Sequence, residues 1–329
     1  MKLLVTTGFG NIIQGGADIW VNHFINLILP QLSDDYFIFV DGRRPEGFET
    51  SLTNYHFHYD DWIKSEKLLE DCEEIHFLHA NYHKREHFWK HKDKWGNIFV
   101  HAYLPDMLKY GDSVKQFNTN VNEDDFYELL HYCKKRIWIG NNDSQLFKDY
   151  PTNTHTVTNF YEFKQDKLIN VNSKKVAFTS RIESRKNVHY LDGIEGLVLS
   201  NQYDWKNITE TTDYDFSKIK FYQWDINIHE NFMNLDWGIA HCCHTNEPFG
   251  YNIFQAVDWG KLPIIHTDWG DVDYRYKAND KQSFGYAYGN ILRDTPMQRT
   301  KEFMKLKKYL KKFDNKETWT KKIIVFFNS

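Results

Sequence analysis

Short runs rich in β-branched and aromatic residues recur along the chain. Each is closed by a polar or glycine-bearing turn, and several are followed by apolar residues at helical spacing. The first half offers "KLLVTT", "YFIFVDG", "EIHFLHA", "NIFVHAY" and "RIWIGN", and between the first two lies "GGADIWVNHFINLIL", where Trp20, Phe24, Leu27 and Ile28 share one helical face. The second half restarts the pattern with "KKVAFTSR", the helical-looking "NVHYLDGIEGLVLS", then "KIKFYQWD", "WGIAHCC" and "LPIIHTD". Strands alternating with helices predict parallel sheets covered by helices, an α/β class. A chain of 329 residues exceeds what one core normally supports, so two domains of roughly 150 residues are expected. The polar, Pro-containing "DYPTNTHTVTNFYEF" places a linker within 150–170, giving an N-terminal Rossmann-like domain over 1–160 and a C-terminal one over 161–329. The latter ends in an amphipathic helix marked by Phe303, Leu306, Leu310 and Phe313, with basic residues on its outer face.

Charge and cysteine content narrow the class. Net charge is −4, but residues 299–322 carry ten Lys or Arg against Glu302, Asp314 and Glu317, so that segment is +7 and the remainder −11. A second cluster, "HKREHFWKHKDKW" at 83–95, interleaves cations with aromatics. Such runs are either solvated helix faces or contacts for an anionic partner. The four cysteines are too few and too irregular for a disulfide framework, and no apolar run reaches the length of a signal core or membrane span. A soluble, cytoplasmic monomer is expected.

The chemistry concentrates in "NEPFGYNIFQAVDWGKLPIIHTD", 246–268. A loop after the strand "WGIAHCC" feeds a helix starting near Tyr251, whose free backbone N–H groups and positive dipole end suit an anion. Glu247, just before that terminus, suits sugar hydroxyls, and Gln255 lies about two turns further on.

The pattern Glu247, Phe249, Gly250, Gln255, Ala256, Gly260, Pro263 resembles the donor site of GT-B-fold retaining glycosyltransferases of the glycogen-synthase and sucrose-synthase type. That resemblance implies two Rossmann-like domains facing a central cleft and transfer from a nucleotide-diphospho-sugar, a UDP-sugar carrying glucose or arabinose. It implies that Glu247 binds the donor sugar, that Phe249-Gly250 with the amides of Tyr251 and Asn252 hold the diphosphate, and that Gln255 stands where an acidic residue usually binds the ribose. "TSRIESRKN" supplies Arg181 and Lys186, matching the pair that neutralises the leaving diphosphate. Gly15 and Gly16 match the first βα turn near the donor phosphates, and His101, ending "NIFVH", matches a histidine beside the reacting sugar. No cofactor and no metal are expected. His241 to His244, "HCCH", project alternately and cannot close one tetrahedron. The pairs Asp213/Asp215 and Asp271/Asp273 belong to the motif type of a different glycosyltransferase fold.

The basic clusters and compact length are similar to phage DNA glycosyltransferases that act on 5-hydroxymethylcytosine. This resemblance implies a duplex DNA acceptor, with Lys84, Arg85, Lys90, Lys92 and Lys94 as its phosphate contacts. A polysaccharide or lipid-linked glycan acceptor is the alternative, and a non-catalytic nucleotide-sugar-binding protein a third reading.

Overall fold

The structure is a computed structural model that describes residues 1–10, 16–32, 35–78, 86–101, 131–139, 154–225, 228–245, 247 and 249–328. The chain divides into two compact units, Met1–Asn159 with Lys316–Ser329, and Phe160–Asn315.

The first unit is built on a seven-stranded parallel sheet. Its strands are β1 (Lys2–Thr6), β2 (Tyr36–Val40), β3 (Tyr55–Phe57), β4 (Glu74–Phe77), β5 (Trp95–His101), β6 (Lys135–Ile139) and β7 (Thr154–Val157), in the order β3-β2-β1-β4-β5-β6-β7. Helices α1 (Gly16–His23), α2 (Trp62–Asp71) and α3 (Glu86–Trp89) follow β1, β3 and β4. Leu3, Leu4 and Val5 of β1 are fully buried, which is why the strand reads as a continuous apolar run without alternation.

The second unit repeats the topology in six strands. These are β8 (Val176–Thr179), β9 (Gly196–Ser200), β10 (Ile219–Gln223), β11 (Ile239–Cys242), β12 (Leu262–His266) and β13 (Lys277–Ala278), all parallel, ordered β10-β9-β8-β11-β12-β13. Its helices are α4 (Gln202–Thr211), α5 (Ile228–Met233), α6 (Tyr251–Asp258), α7 (Lys281–Arg293) and α8 (Pro296–Leu310). Both units therefore have the doubly wound, Rossmann-like order expected from the sequence.

Four expectations are corrected. "NVHYLDGIEGLVLS" is not a helix. Val188–Leu191 forms one 3-10 turn, Gly193 takes a φ of +73°, and "GLVLS" continues as the fully buried β9. A short apolar run of this kind fits a buried helix or a buried strand equally well by periodicity, and here the strand wins. The polar "THTV" inside the expected linker is β7, paired with β6 from Arg136↔Thr154 to Ile139↔Val157, because β-branched threonine suits an extended edge.

The basic C-terminal stretch is two helices rather than one. In α8, Phe303, Leu306 and Leu310 are buried as expected, but so are Arg299 and Lys307; Lys307 Nζ lies 3.0 Å from Asp166, and Lys305 Nζ lies 2.8 Å from Glu302. Part of the charge run is thus internal pairing rather than an open cationic face. The last helix, α9 (Lys316–Asn328), belongs to the first unit and not, as expected, to the C-terminal domain. Trp319, Ile323 and Phe326 are buried. The Trp319 ring meets Trp20 of α1 edge-on at 6.4 Å, and Phe327 stacks on Phe99 of β5 at 5.7 Å. The chain thus returns to cover the sheet that it started.

Truncating Trp319 to Ala should cost roughly 3–5 kcal/mol, the usual loss for a buried Trp. The consequence is local to the first unit: amide exchange should quicken in β1, β4 and β5 and stay unchanged in β8 to β12, as read by hydrogen-exchange mass spectrometry.

Candidate active site

In the second sheet β8 and β11 are hydrogen-bonded neighbours, with Ile239 opposite Val176 and Ala240 opposite Ala177. β9 and β10 lie to one side of them, β12 and β13 to the other. The loops leaving their carboxyl ends diverge, and such a switch point is where open α/β sheets bind ligands. The loop after β8 carries Arg181, Glu183, Arg185 and Lys186; the loop after β11 carries His244 and Glu247.

These side chains form a charged cluster. Lys186 Nζ donates to Glu247 Oε2 and lies 3.1 Å from His244 Nδ1. Arg185 Nη1 stands 3.6 Å from the same Glu247 oxygen, and its Nε donates to Glu183 at 3.2 Å. Arg181 holds the other oxygen of Glu183 at 3.1 Å, with half of its side chain exposed. Burial alone would raise the Glu247 carboxyl, but Lys186, with help from His244 and Arg185, holds it well below the usual carboxylate range. Burial first, then Arg185, pushes the Lys186 ammonium down to about 8, with Glu247 opposing. His244 is held well below its ordinary value by burial and by Lys186, so its imidazole is neutral at pH 7. The cluster is a lysinium and a carboxylate sharing one neutral histidine.

Backbone bracing fixes the two loops. Asn187, with φ +57°, donates from Nδ2 to Cys243 O at 2.8 Å and to Thr245 Oγ1 at 3.1 Å, while the Thr245 amide donates to Arg185 O at 2.9 Å. The histidine and cysteine run has structural partners: His241 Nε2 meets Asn187 O at 2.9 Å, and Cys243 Sγ faces Ala278 O at 3.1 Å. Burial drives His241 down to about 4 and the Cys243 thiol up to about 12.

Beside the cluster, α6 starts at Gly250, the N-cap, with φ +76°. A Cβ there would lie 2.9 Å from Ile253 Cδ1 and 3.0 Å from Trp269 Nε1, so glycine is required for both conformation and space. Gly260, φ +71°, closes the other end of the helix, where a Cβ would stand 2.1 Å from Leu168 O. Phe249 is an anchor. Its ring is buried and stacks on Phe254 at 4.5 Å, and its carbonyl accepts from Trp269 Nε1 at 3.1 Å. The amides of Tyr251 and Asn252 are in the first turn, where no intrahelical acceptor exists. Asn252 Nδ2 is 3.4 Å from the His244 ring nitrogens, and Gln255 lies half-buried one turn on.

Of the residues singled out in the sequence, Lys186 and Glu247 are brought into direct contact, and Arg181 joins them through Glu183. Arg185 and His244 are members that sequence reasoning missed; the first sat next to Lys186 in "SRKN", and the second was read only as part of a metal decoy. In the first unit, Gly16 opens α1 and His101 ends β5. Gly15, Lys84 and Arg85 lie outside the described residues. Lys90 is exposed; Lys92 donates to Tyr132 Oη at 2.9 Å. Lys94 caps the C-terminus of α2 through Leu69 O and Glu70 O, at 3.1 and 2.7 Å.

No protein-family model and no curated protein matches the chain. Solved structures do. A sucrose-phosphate synthase from Thermosynechococcus elongatus superposes with a TM-score of 0.68 at 12% identity, over 99% of this chain and 98% of that one. WaaG, a glycosyltransferase of lipopolysaccharide biosynthesis, gives 0.65 at 9% identity over 97% and 98%. The DNA-modifying enzyme beta-glucosyltransferase, studied with and without its substrate uridine diphosphoglucose, gives 0.53 at 9% identity over 98% of each chain. The likeness establishes the GT-B fold.

Replacing Lys186 by Met leaves Glu247 a buried carboxylate without its main counter-charge, a change that typically costs about 3–5 kcal/mol. The double variant Lys186→Met with Glu247→Leu should regain most of that loss. A thermal melt in which both variants are equally destabilised would show that the pair does not hold the two loops together.

Proposed function

We propose that the protein is a retaining glycosyltransferase that moves a sugar from a nucleotide-diphospho-sugar, a UDP-sugar, to an acceptor hydroxyl. The observation that carries this reading is the Lys186–Glu247 pair at the switch point of the second sheet, beside the first turn of α6. Leaving-group departure puts negative charge on the diphosphate, and fixed cations with helix N–H groups stabilise such charge without reorganising. Lys186 and the half-exposed Arg181 supply the cations, and the Tyr251 and Asn252 amides supply the N–H groups. Glu247, ionised and aimed by Lys186, accepts hydrogen bonds from donor-sugar hydroxyls. Arg185 and Glu183 position this set, Gln255 takes the ribose, and His101, Gly15 and Gly16 are assigned to the reacting sugar on the sequence resemblance alone. The proposal includes no cofactor and no catalytic metal.

For the acceptor we propose 5-hydroxymethylcytosine in duplex DNA. The likeness to a DNA-modifying beta-glucosyltransferase supports it, as does the basic cluster around Lys84, Arg85 and Lys90. A glycan acceptor is the second reading, favoured by Lys92 and Lys94, whose ammonium groups are engaged within the fold and take two of the five cations away from any phosphate backbone. Incubation with UDP-glucose or UDP-arabinose and hydroxymethylated DNA, followed by nucleoside mass analysis, should reveal a hexose or pentose adduct. Donor turnover on glycans with none on DNA would establish the second reading instead.

Glu247→Ala should lower transfer about a hundredfold, the scale of one lost transition-state hydrogen bond. UDP affinity should fall far less than turnover, because Arg181 and the first-turn amides of α6 share the diphosphate with Lys186; an equal fall in both quantities would move Glu247 from the sugar to the nucleotide.

The Lys186 ammonium, set at about 8, loses its proton as pH rises past that value. UDP affinity should therefore weaken about tenfold between pH 7 and pH 9. Lys186→Arg should flatten the profile, since a guanidinium stays charged. Titration calorimetry at the two pH values checks both outcomes.

A further inference from the structure

A second cluster of ligand-type side chains lies in the first unit, apart from the residues assigned to the donor. Asp41 directly follows β2, His58 directly follows β3, and His87 lies in α3. One carboxylate oxygen and one nitrogen from each ring all fall within 4.8 Å of one another. The Asp41 side chain is fully inaccessible, His58 is 0% exposed, and the His87 side chain is 11% exposed.

The positions are fixed by the fold. The Asp41 amide donates to Thr6 O at 2.8 Å and the His58 amide to Val40 O at 2.8 Å, so the parallel ladder extends through both residues and sets their spacing. His87 is held by its neighbour Phe88, whose fully buried ring packs on Phe39 at 5.7 Å and on Phe77 at 5.5 Å. Three side chains of ligand type, from the ends of β2 and β3 and from α3, thus converge on one point.

His87 Nε2 stands 3.7 Å from Asp41 Oδ1. That is beyond hydrogen-bond reach. It is close to the roughly 3.4 Å edge of a tetrahedron with metal–ligand bonds of about 2.0–2.1 Å. The rings of His58 and His87 lie nearly parallel with centroids 4.2 Å apart, so the two imidazoles are close neighbours beside the carboxylate. The ring of Trp62 borders His58 at 4.2 Å and supplies an apolar wall. Two imidazoles and one carboxylate suit a borderline divalent cation such as zinc, whereas magnesium and calcium prefer oxygen ligands.

We propose that Asp41, His58 and His87 form a binding site for a divalent first-row transition cation of the zinc class, with water in the fourth position. Its role is to clasp α3 to the carboxyl edge of β2 and β3. The sequence led to no metal expectation, because the three ligands are dispersed over positions 41, 58 and 87 without a recognisable spacing. The site is independent of the glycosyl-transfer reading.

The test is cobalt uptake by untagged, chelator-treated full-length protein, followed by visible absorption. One equivalent should bind with the intense d–d bands of a four-coordinate site, and zinc should displace it. His87→Gln and His58→Gln should each abolish the bands, and zinc should raise the melting temperature of the native protein but of neither variant. His87 is the least buried ligand, so its variant should keep the native circular dichroism. If either variant fails to fold, Asp41→Asn provides the same readout, and uptake by the native chain decides by itself. No stoichiometric cobalt uptake by the native protein, or uptake unchanged in folded variants, would overturn the site.

Discussion

The Lys186–Glu247 ion pair is the constraint around which the second unit is arranged. Two charges this well buried are tolerable only when each has a partner and the remaining lone pairs and protons are satisfied. The fold meets that demand with His244, which shares both partners, and with Arg185, which holds Glu247 on one side and Glu183 on the other. The two loops that carry the pair cannot drift apart without exposing a lone buried charge. Asn187 and Thr245 tie the same loops through the backbone, so side-chain electrostatics and main-chain hydrogen bonds specify one geometry.

That geometry depends in turn on parallel sheet topology. β8 and β11 are distant in the chain and adjacent in the sheet, with crossover connections leading away on both sides. Their carboxyl ends deliver cations from one loop and a carboxylate from the other to the same point. Gly250 completes the arrangement. Its positive φ lets the chain turn abruptly from the Glu247 loop into α6, and Phe249 pins that turn into the core through Phe254 and Trp269. A motif that reads as a ligand signature is therefore partly a packing device: the phenylalanine holds the loop, and the amides after it form the first turn of α6, without intrahelical acceptors.

The first unit repeats the sheet topology with a different division of labour. Its core is closed by a helix from the far end of the chain, whose aromatic face meets Trp20, Phe24 and Phe99. Of its basic cluster, Lys94 is spent on the end of α2 and Lys92 on Tyr132, which shows how little a run of cations says about a partner until their local acceptors are known. At the carboxyl edge of β2 and β3, by contrast, three residues that share no sequence motif are drawn together by the ladder and by the Phe88 anchor.

The sequence by itself determined what depends on local pattern. Buried strands such as "KLLVT" and "LPIIH", the alternation of strand and helix, and Glu247 beside a helix start were legible because composition and short-range periodicity encode them, whereas the glycines at 250 and 260 stood out through the family resemblance. The C-terminal helix was legible as a helix over Phe303 to Leu310. The strands "THTV" and "GLVLS" were misread, since a threonine run reads as a turn until a neighbouring strand pairs with it, and a short apolar run has no period of its own. Only tertiary structure decided that α9 joins the first unit, that Arg185 and His244 complete the Lys186–Glu247 cluster, and that Asp41, His58 and His87 meet. Those facts concern residues far apart in the chain, and their proximity is created by parallel pairing and long-range burial, which no local window contains.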